Sequence, residues 1–181
     1  MEKPRAVGIK KWIIIGIFVV LALAGLWHFV YDWMPNAVLG SISPVNESPW
    51  EHAKLFFFPA IVYYAVMFAA AGRYYPNYVF ACAVSLIVMP AVMLVLYGIY
   101  SSFAEETFVF DMINSVITVS LGMLTVYRLT VCRVKLHGGF FKLAAMIIVL
   151  GLLASYTLLT FFPPAHPLFL DKTTMQYGIP R

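Results

Sequence analysis

Charge is what this sequence has least of. Asp, Glu, Lys and Arg make up 11% of its 181 residues, against roughly 25% in a soluble globular domain, too few to cover a water-facing surface. Cysteine is nearly as scarce. Cys82 and Cys132 are the two present, and they form no CxxC pair, which argues against thiol–disulfide chemistry. The chain contains no HExxH and no GxSxG, so the zincin and nucleophile-elbow signatures are missing. No soluble domain fits between the apolar runs, because the longest connection covers only residues 32–54.

Apolar sequence takes the place of charge. Hydrophobic residues reach 62% with a mean hydropathy of +0.88. Five runs approach or exceed the roughly 18–20 residues that a helix needs to cross the hydrocarbon. They predict helices over 12–31, 49–72, 78–100, 107–129 and 141–162. The expected fold is all-α: one polytopic transmembrane domain over 1–181, a bundle of five membrane-spanning helices. The opening "KKWIIIGIFVVLALAG" has the basic start and small-residue triplet of a signal peptide. It continues through "GLWHFVY" to a full span, so it reads as a retained first helix.

Because every loop is short, the positive-inside rule applies. With alternating helices, Lys3, Arg5, Lys10, Lys11, Arg73, Arg128, Arg133, Lys135 and Lys142 share one side, leaving Lys54, Lys172 and Arg181 on the other. This predicts a cytoplasmic N-terminus and an external C-terminus. The same folding puts Glu2 inside and sends Asp32, Glu47, Glu51, Glu105, Glu106, Asp111 and Asp171 outside, with His28, His52 and His166. The sequence pI of about 9.1 then reflects contact with the lipids of the inner leaflet and does not indicate nucleic-acid binding.

Four segments carry this outer face. In "NESPWEH", Ser48 suits an N-cap, Pro49 the first helical position and Glu51 the third residue of a capping box, which leaves Asn46, Glu47 and His52 unexplained. In "LWHFVYDW", His28 and Asp32 share a helix face. In "DMINSVIT", Asp111, Asn114, Ser115 and Thr118 form a polar stripe of the kind that glues helices together, yet a carboxylate inside the apolar boundary costs a few kcal/mol unless paired or wetted. In the tail, the prolines of "FFPPAHPLF" forbid a continued helix. The tail is expected to fold over the outer helix ends and bring His166 and Asp171 with it. Pro59 and Pro90 should kink the second and third spans.

The stretches "HFVYDW", "SPVNESPWEHAKLFFFP" and "PPAHPLFLDKTTMQYGI" resemble a family of small prokaryotic integral membrane proteins of unknown function. The matching positions are His28, Phe29, Tyr31 and Asp32; Asn46, Glu47, Ser48, Trp50, Glu51, His52, Lys54 and Leu55; and Pro167, Leu168, Phe169, Asp171, Tyr177, Gly178 and Ile179. Pro49 and Ala53 stand where bulkier apolar residues are usual, and "DKTTMQYG" replaces a turn containing Pro and Gly. The resemblance implies a grouping and no mechanism.

Imidazole and carboxylate gathered on one face suit zinc or another divalent first-row ion. The expected site has His28, Asp32, Glu51, His52 and Asp111 as ligands, and Glu47 as the carboxylate that takes a proton from metal-bound water. Asn46, Asn114, Ser115, His166 and Asp171 would support the site or meet substrate. The function expected is metal-dependent hydrolysis of a lipid or envelope substrate, with membrane lipids as partners. A small transporter or proton relay, and a non-enzymatic scaffold, are the alternatives; haem held by His28 and His52 is a lesser variant.

Overall fold

The computed structural model describes residues 8–105 and 107–179. Glu2, Lys3, Arg5, Glu106 and Arg181 lie outside the described residues. Among the described residues seven α-helices occur in chain order: α1 (Ile9–Trp27), α2 (Val30–Trp33), α3 (Ala37–Ile42), α4 (Pro49–Ala70), α5 (Tyr78–Tyr100), α6 (Phe108–Val131) and α7 (Gly139–Phe161). Five helical stretches are long and apolar enough to cross a membrane, the first running from Ile9 to Trp33 through α1 and α2. The chain is a multi-pass membrane protein.

The spans match the apolar runs to within a few residues, with one informative difference. The first span is not continuous. At Phe29 the backbone N–H turns back to Leu26 O, three residues earlier, and α1 ends with His28 as its C-cap. The connection between the first two spans, residues 34–48, is more ordered than a loop. Asn36 caps α3 by accepting from Leu39 N at 3.0 Å, and the Trp27 indole donates to Ile42 O at 2.8 Å, strapping α3 to the end of α1.

Helix α1 packs on α4 and α6, and α5 packs on α4, α6 and α7. The result is a ring α1–α4–α5–α6 with α7 seated outside it against α5. The centre of the ring is filled. Met67, Met89, Val119, Met123 and Phe57 are fully enclosed. Two glycines let the helices close: a Cβ at Gly16 would strike the Tyr63 ring at 2.5 Å, and one at Gly122 would overlap the Met89 side chain. Helices α4 and α5 run through Pro59 and Pro90, both buried. Polar groups inside the ring satisfy one another, as expected where water is excluded. Tyr64 OH and Ser85 Oγ meet at 2.7 Å, Ser85 Oγ donates to Gly122 O at 2.9 Å, and Asn114 Nδ2 donates to Met93 O at 3.1 Å.

The two ends of the bundle differ in charge. At the basic end lie the starts of α1, α5 and α7 and the ends of α4 and α6, and among the described residues this end carries no Asp or Glu. Asn77 holds the 132–136 connection here, donating to Val134 O at 2.8 Å and accepting from Leu136 N at 2.9 Å. The acidic end holds the end of α1 and the start of α4. There the tail forms a short antiparallel ladder, β1 (Leu170–Asp171) with β2 (Gln176–Tyr177), and Phe169 packs on Trp50 with ring centroids 5.2 Å apart.

Candidate metal centre

The site is built from the start of α4. Ser48 Oγ accepts from Glu51 N at 3.4 Å and Pro49 occupies the first turn, so the helix begins where N-cap chemistry places it. The reciprocal half of a capping box does not form. Ser48 N donates instead to Asn46 Oδ1 at 2.9 Å, and the Glu51 carboxylate turns inward.

That inward turn removes Glu51 from the candidate ligands. Its Oε2 accepts from Lys54 Nζ at 2.7 Å and Val45 N at 3.1 Å, and its Oε1 accepts from Thr160 Oγ1 at 2.6 Å. Lys54 Nζ also donates to Gly40 O at 2.7 Å and Ser43 O at 3.2 Å. Glu51 is 2% and Lys54 0% exposed, and a buried ion pair survives only when its remaining hydrogen-bonding capacity is met in this way. The pair ties α3, the 43–48 loop, α4 and α7 together.

On that scaffold sits the loop that carries Glu47. Glu51 holds Val45 on one side. Asn46 holds the other, donating through Nδ2 to Gly178 O at 2.7 Å. Gly178 has φ +70°, and a Cβ there would lie 3.1 Å from Thr160 O, so the tail can approach this closely only with glycine.

Glu47 then points at two histidines. Glu47 Oε2 lies 3.2 Å from His52 Nε2 and 3.6 Å from His28 Nε2, and the two Nε2 atoms are 3.3 Å apart. These three atoms form a group with the spacing of metal ligands. His52 Nδ1 meets Ser48 O at 3.1 Å, and a carbonyl can only accept, so Nδ1 carries a proton and Nε2 is the ring nitrogen that faces the group. His28 is held by ring contacts with Phe29 and His52, at 5.2 and 5.3 Å, and its Nδ1 is buried without a hydrogen-bond partner among the described residues. The His28 and His52 side chains keep 28% and 30% of their surface exposed and Glu47 keeps 48%, so the group opens outward. Hydrogen bonding to His28 and His52 holds the Glu47 carboxyl well below the usual carboxylate range, against the opposing effect of its partial burial.

The other candidate residues are placed elsewhere. Asp32 is exposed, past the break in the first span, and stands outside the group. Asp111 accepts from Tyr100 OH at 2.5 Å; it adds to the electrostatic field at His52 but is not within ligand spacing. Asn114 is a buried helix–helix tie and Ser115 is half-buried. His166 caps its own turn, accepting from Leu168 N at 3.2 Å. Asp171 is consumed by a local turn, accepting from Thr173 N at 2.8 Å and Thr173 Oγ1 at 2.6 Å. Lys54, Thr160, Gly178 and Tyr100 were not among the expected site residues. For Lys54 the signal was available, since Glu51 and Lys54 stand three apart on one helix face.

The family's sequence model matches residues 1–179. The chain belongs to DUF6512, a family of unknown function. No curated protein and no solved structure matches it. Membership brings no activity with it, so any function for this DUF6512 member has to rest on the chemistry of His28, Glu47 and His52.

Proposed function

We propose that this protein binds a divalent metal ion, zinc in the first instance, through His28 Nε2, His52 Nε2 and Glu47 Oε2, and uses it to hydrolyse a lipid or envelope substrate. One observation carries the reading. Ligands bound at about 2.0–2.1 Å in a tetrahedron lie about 3.3–3.4 Å from one another, and the three distances here are 3.2, 3.3 and 3.6 Å. A His₂Glu set leaves the fourth position for water or substrate, the pattern of catalytic zinc, whereas structural zinc is closed by four protein ligands. A zinc ion held by these three residues would supply Lewis-acid activation of water for hydrolysis. Glu47 thereby moves from the role of free base to that of ligand.

Substrate class follows from position. The group lies where the first and second spans meet the membrane boundary, beside the exposed side chains of Phe29 and Trp33, within reach of lipid headgroups or material lying on the bilayer. We assign this acidic end to the external face and the N-terminus to the cytoplasm, on the distribution of Lys and Arg. The transporter reading has less support: among the described residues, the buried acids and bases are Glu51, Lys54 and Asp171, all at the acidic end, and the ring centre is packed shut.

Zinc titration of metal-stripped protein tests the proposal. One equivalent is expected to bind to the natural chain and to be lost in His28→Ala and in His52→Ala, together with ester-probe hydrolysis. Absence of stoichiometric metal, with affinity unchanged in both variants, would refute it.

A further inference from the structure

A second site lies at the opposite end of the bundle and does not depend on the metal centre. Helices α4 and α7 touch near the acidic end, where Tyr156 packs on Trp50 and Phe57 at 5.2 and 5.1 Å and Thr160 reaches Glu51. Towards the basic end they part. The wedge between them is floored by α5 and holds a cavity of about 470 Å³, within the roughly 300–1,000 Å³ of ligand pockets. Small side chains make the room: Cys82 and Ala83 on the floor and Ala145 on the α7 wall, all buried. Phe68 and Met146 line the two sides and are 44% and 53% exposed, so the cavity opens sideways into the hydrocarbon, not to water.

The cavity has one charged lining residue, Lys142, one turn into α7. Among the described residues Lys142 makes no ion pair, and the described residues of this end include Arg73, Arg128, Arg133 and Lys135 but no carboxylate. An apolar slot with a cation at its mouth has the layout of a phospholipid, with acyl chain below and phosphate above. A long lysine at a helix end reaches naturally to headgroup level.

We propose that this wedge binds one anionic phospholipid of the adjoining leaflet, an acyl chain lying over Cys82 and Ala83 and the headgroup paired with Lys142. Zwitterionic lipid fills the same slot but gains less from the positive field of these basic residues, because each Lys or Arg near the surface favours anionic lipid by a factor of about five.

The test uses the full chain in detergent, mixed with equimolar phosphatidylglycerol and phosphatidylcholine and read by native mass spectrometry. One phosphatidylglycerol retained per chain, at several-fold preference, is the expected result. Lys142→Ala should reduce that preference about fivefold. Val79→Trp, at a cavity-lining position already 48% exposed and so free of core clashes, should lower retention of both lipids. Melting temperatures near that of the natural chain would show both variants folded. Equal retention of the two lipids by the natural chain overturns the proposal, as does a preference that survives both substitutions.

Discussion

Replacing Lys54 with Met is the sharpest test of how the loop that carries Glu47 is supported. The side chains are similar in length, so little volume changes, but three hydrogen bonds of 2.7, 2.7 and 3.2 Å disappear. Glu51 is left as a buried carboxylate without its counter-charge, and the carbonyls of Gly40 and Ser43 lose a donor. Removing one partner of a buried pair costs about 3–5 kcal/mol. Glu51 keeps Thr160 Oγ1 and Val45 N, so the lower end, about 3 kcal/mol, is expected. Removing both charges, in Glu51→Gln with Lys54→Met, should restore most of that loss, because a neutral pair has no ion to strand. Unfolding in mixed micelles gives the free energies, and the buried thiol of Cys82 supplies a dye-accessible reporter of opening. A single Lys54→Met within about 0.5 kcal/mol of the natural chain, or a double variant less stable than the single, would refute the assignment of this pair as the clamp.

Asn46→Ala should weaken zinc binding by roughly ten- to a hundredfold, the usual effect of losing a group that orients a ligand, because Ser48 N and Gly178 O both lose their partner; Asn46→Asp, which keeps the acceptor for Ser48 N, should lose less, and calorimetric titration would compare them. Gly122→Ala pushes a methyl into Met89 and should cost about 1–3 kcal/mol by overpacking, measured by the same micelle unfolding. For Asp171, burial raises the carboxyl pKa, but hydrogen bonds from Thr173 and Thr174 outweigh it and hold the pKa below its ordinary 3.8. A lowered native pKa contributes stability that is full above the unfolded value and lost as pH falls through the native one, so the fall in melting temperature below about pH 4 should be shallower in Asp171→Asn than in the natural chain.

The spans were legible because a bilayer imposes a length, and length can be read from an apolar run without any contact being known. The start of α4 was legible for a similar reason: Ser48 and Pro49 act locally. What sequence could not separate was the fate of each acid. Glu51, Asp111 and Asp171 read alike as carboxylates near the boundary, yet one is neutralised by Lys54, one accepts from Tyr100 eleven positions earlier, and one bends back on Thr173 and Thr174. Asp32 read as a partner of His28 because four residues separate them on an ideal helix. The break at Phe29 ends that register and leaves Asp32 in the open.

These fates also decide which residues remain to be explained by chemistry. Glu51, Asp171 and Asp111 each have a partner that accounts for them structurally. Glu47 does not. Its ion-pair partners among the described residues are His28 and His52, and it is half-exposed on a loop that two buried networks hold still. Lys54, Val45 and Thr160 fix one flank of that loop through Glu51, while Asn46 and Gly178 fix the other. A surface glutamate needing only solvent would gain nothing from such restraint, since exposed pairs contribute about 0–1 kcal/mol. A metal ligand would gain a great deal, because a site held within about 0.5 Å of its working geometry does not have to order itself when the ion arrives. The logic of "NESPWEH" is therefore physical: Asn46, Ser48 and Glu51 build the mount, and Glu47 and His52 are what it presents to His28.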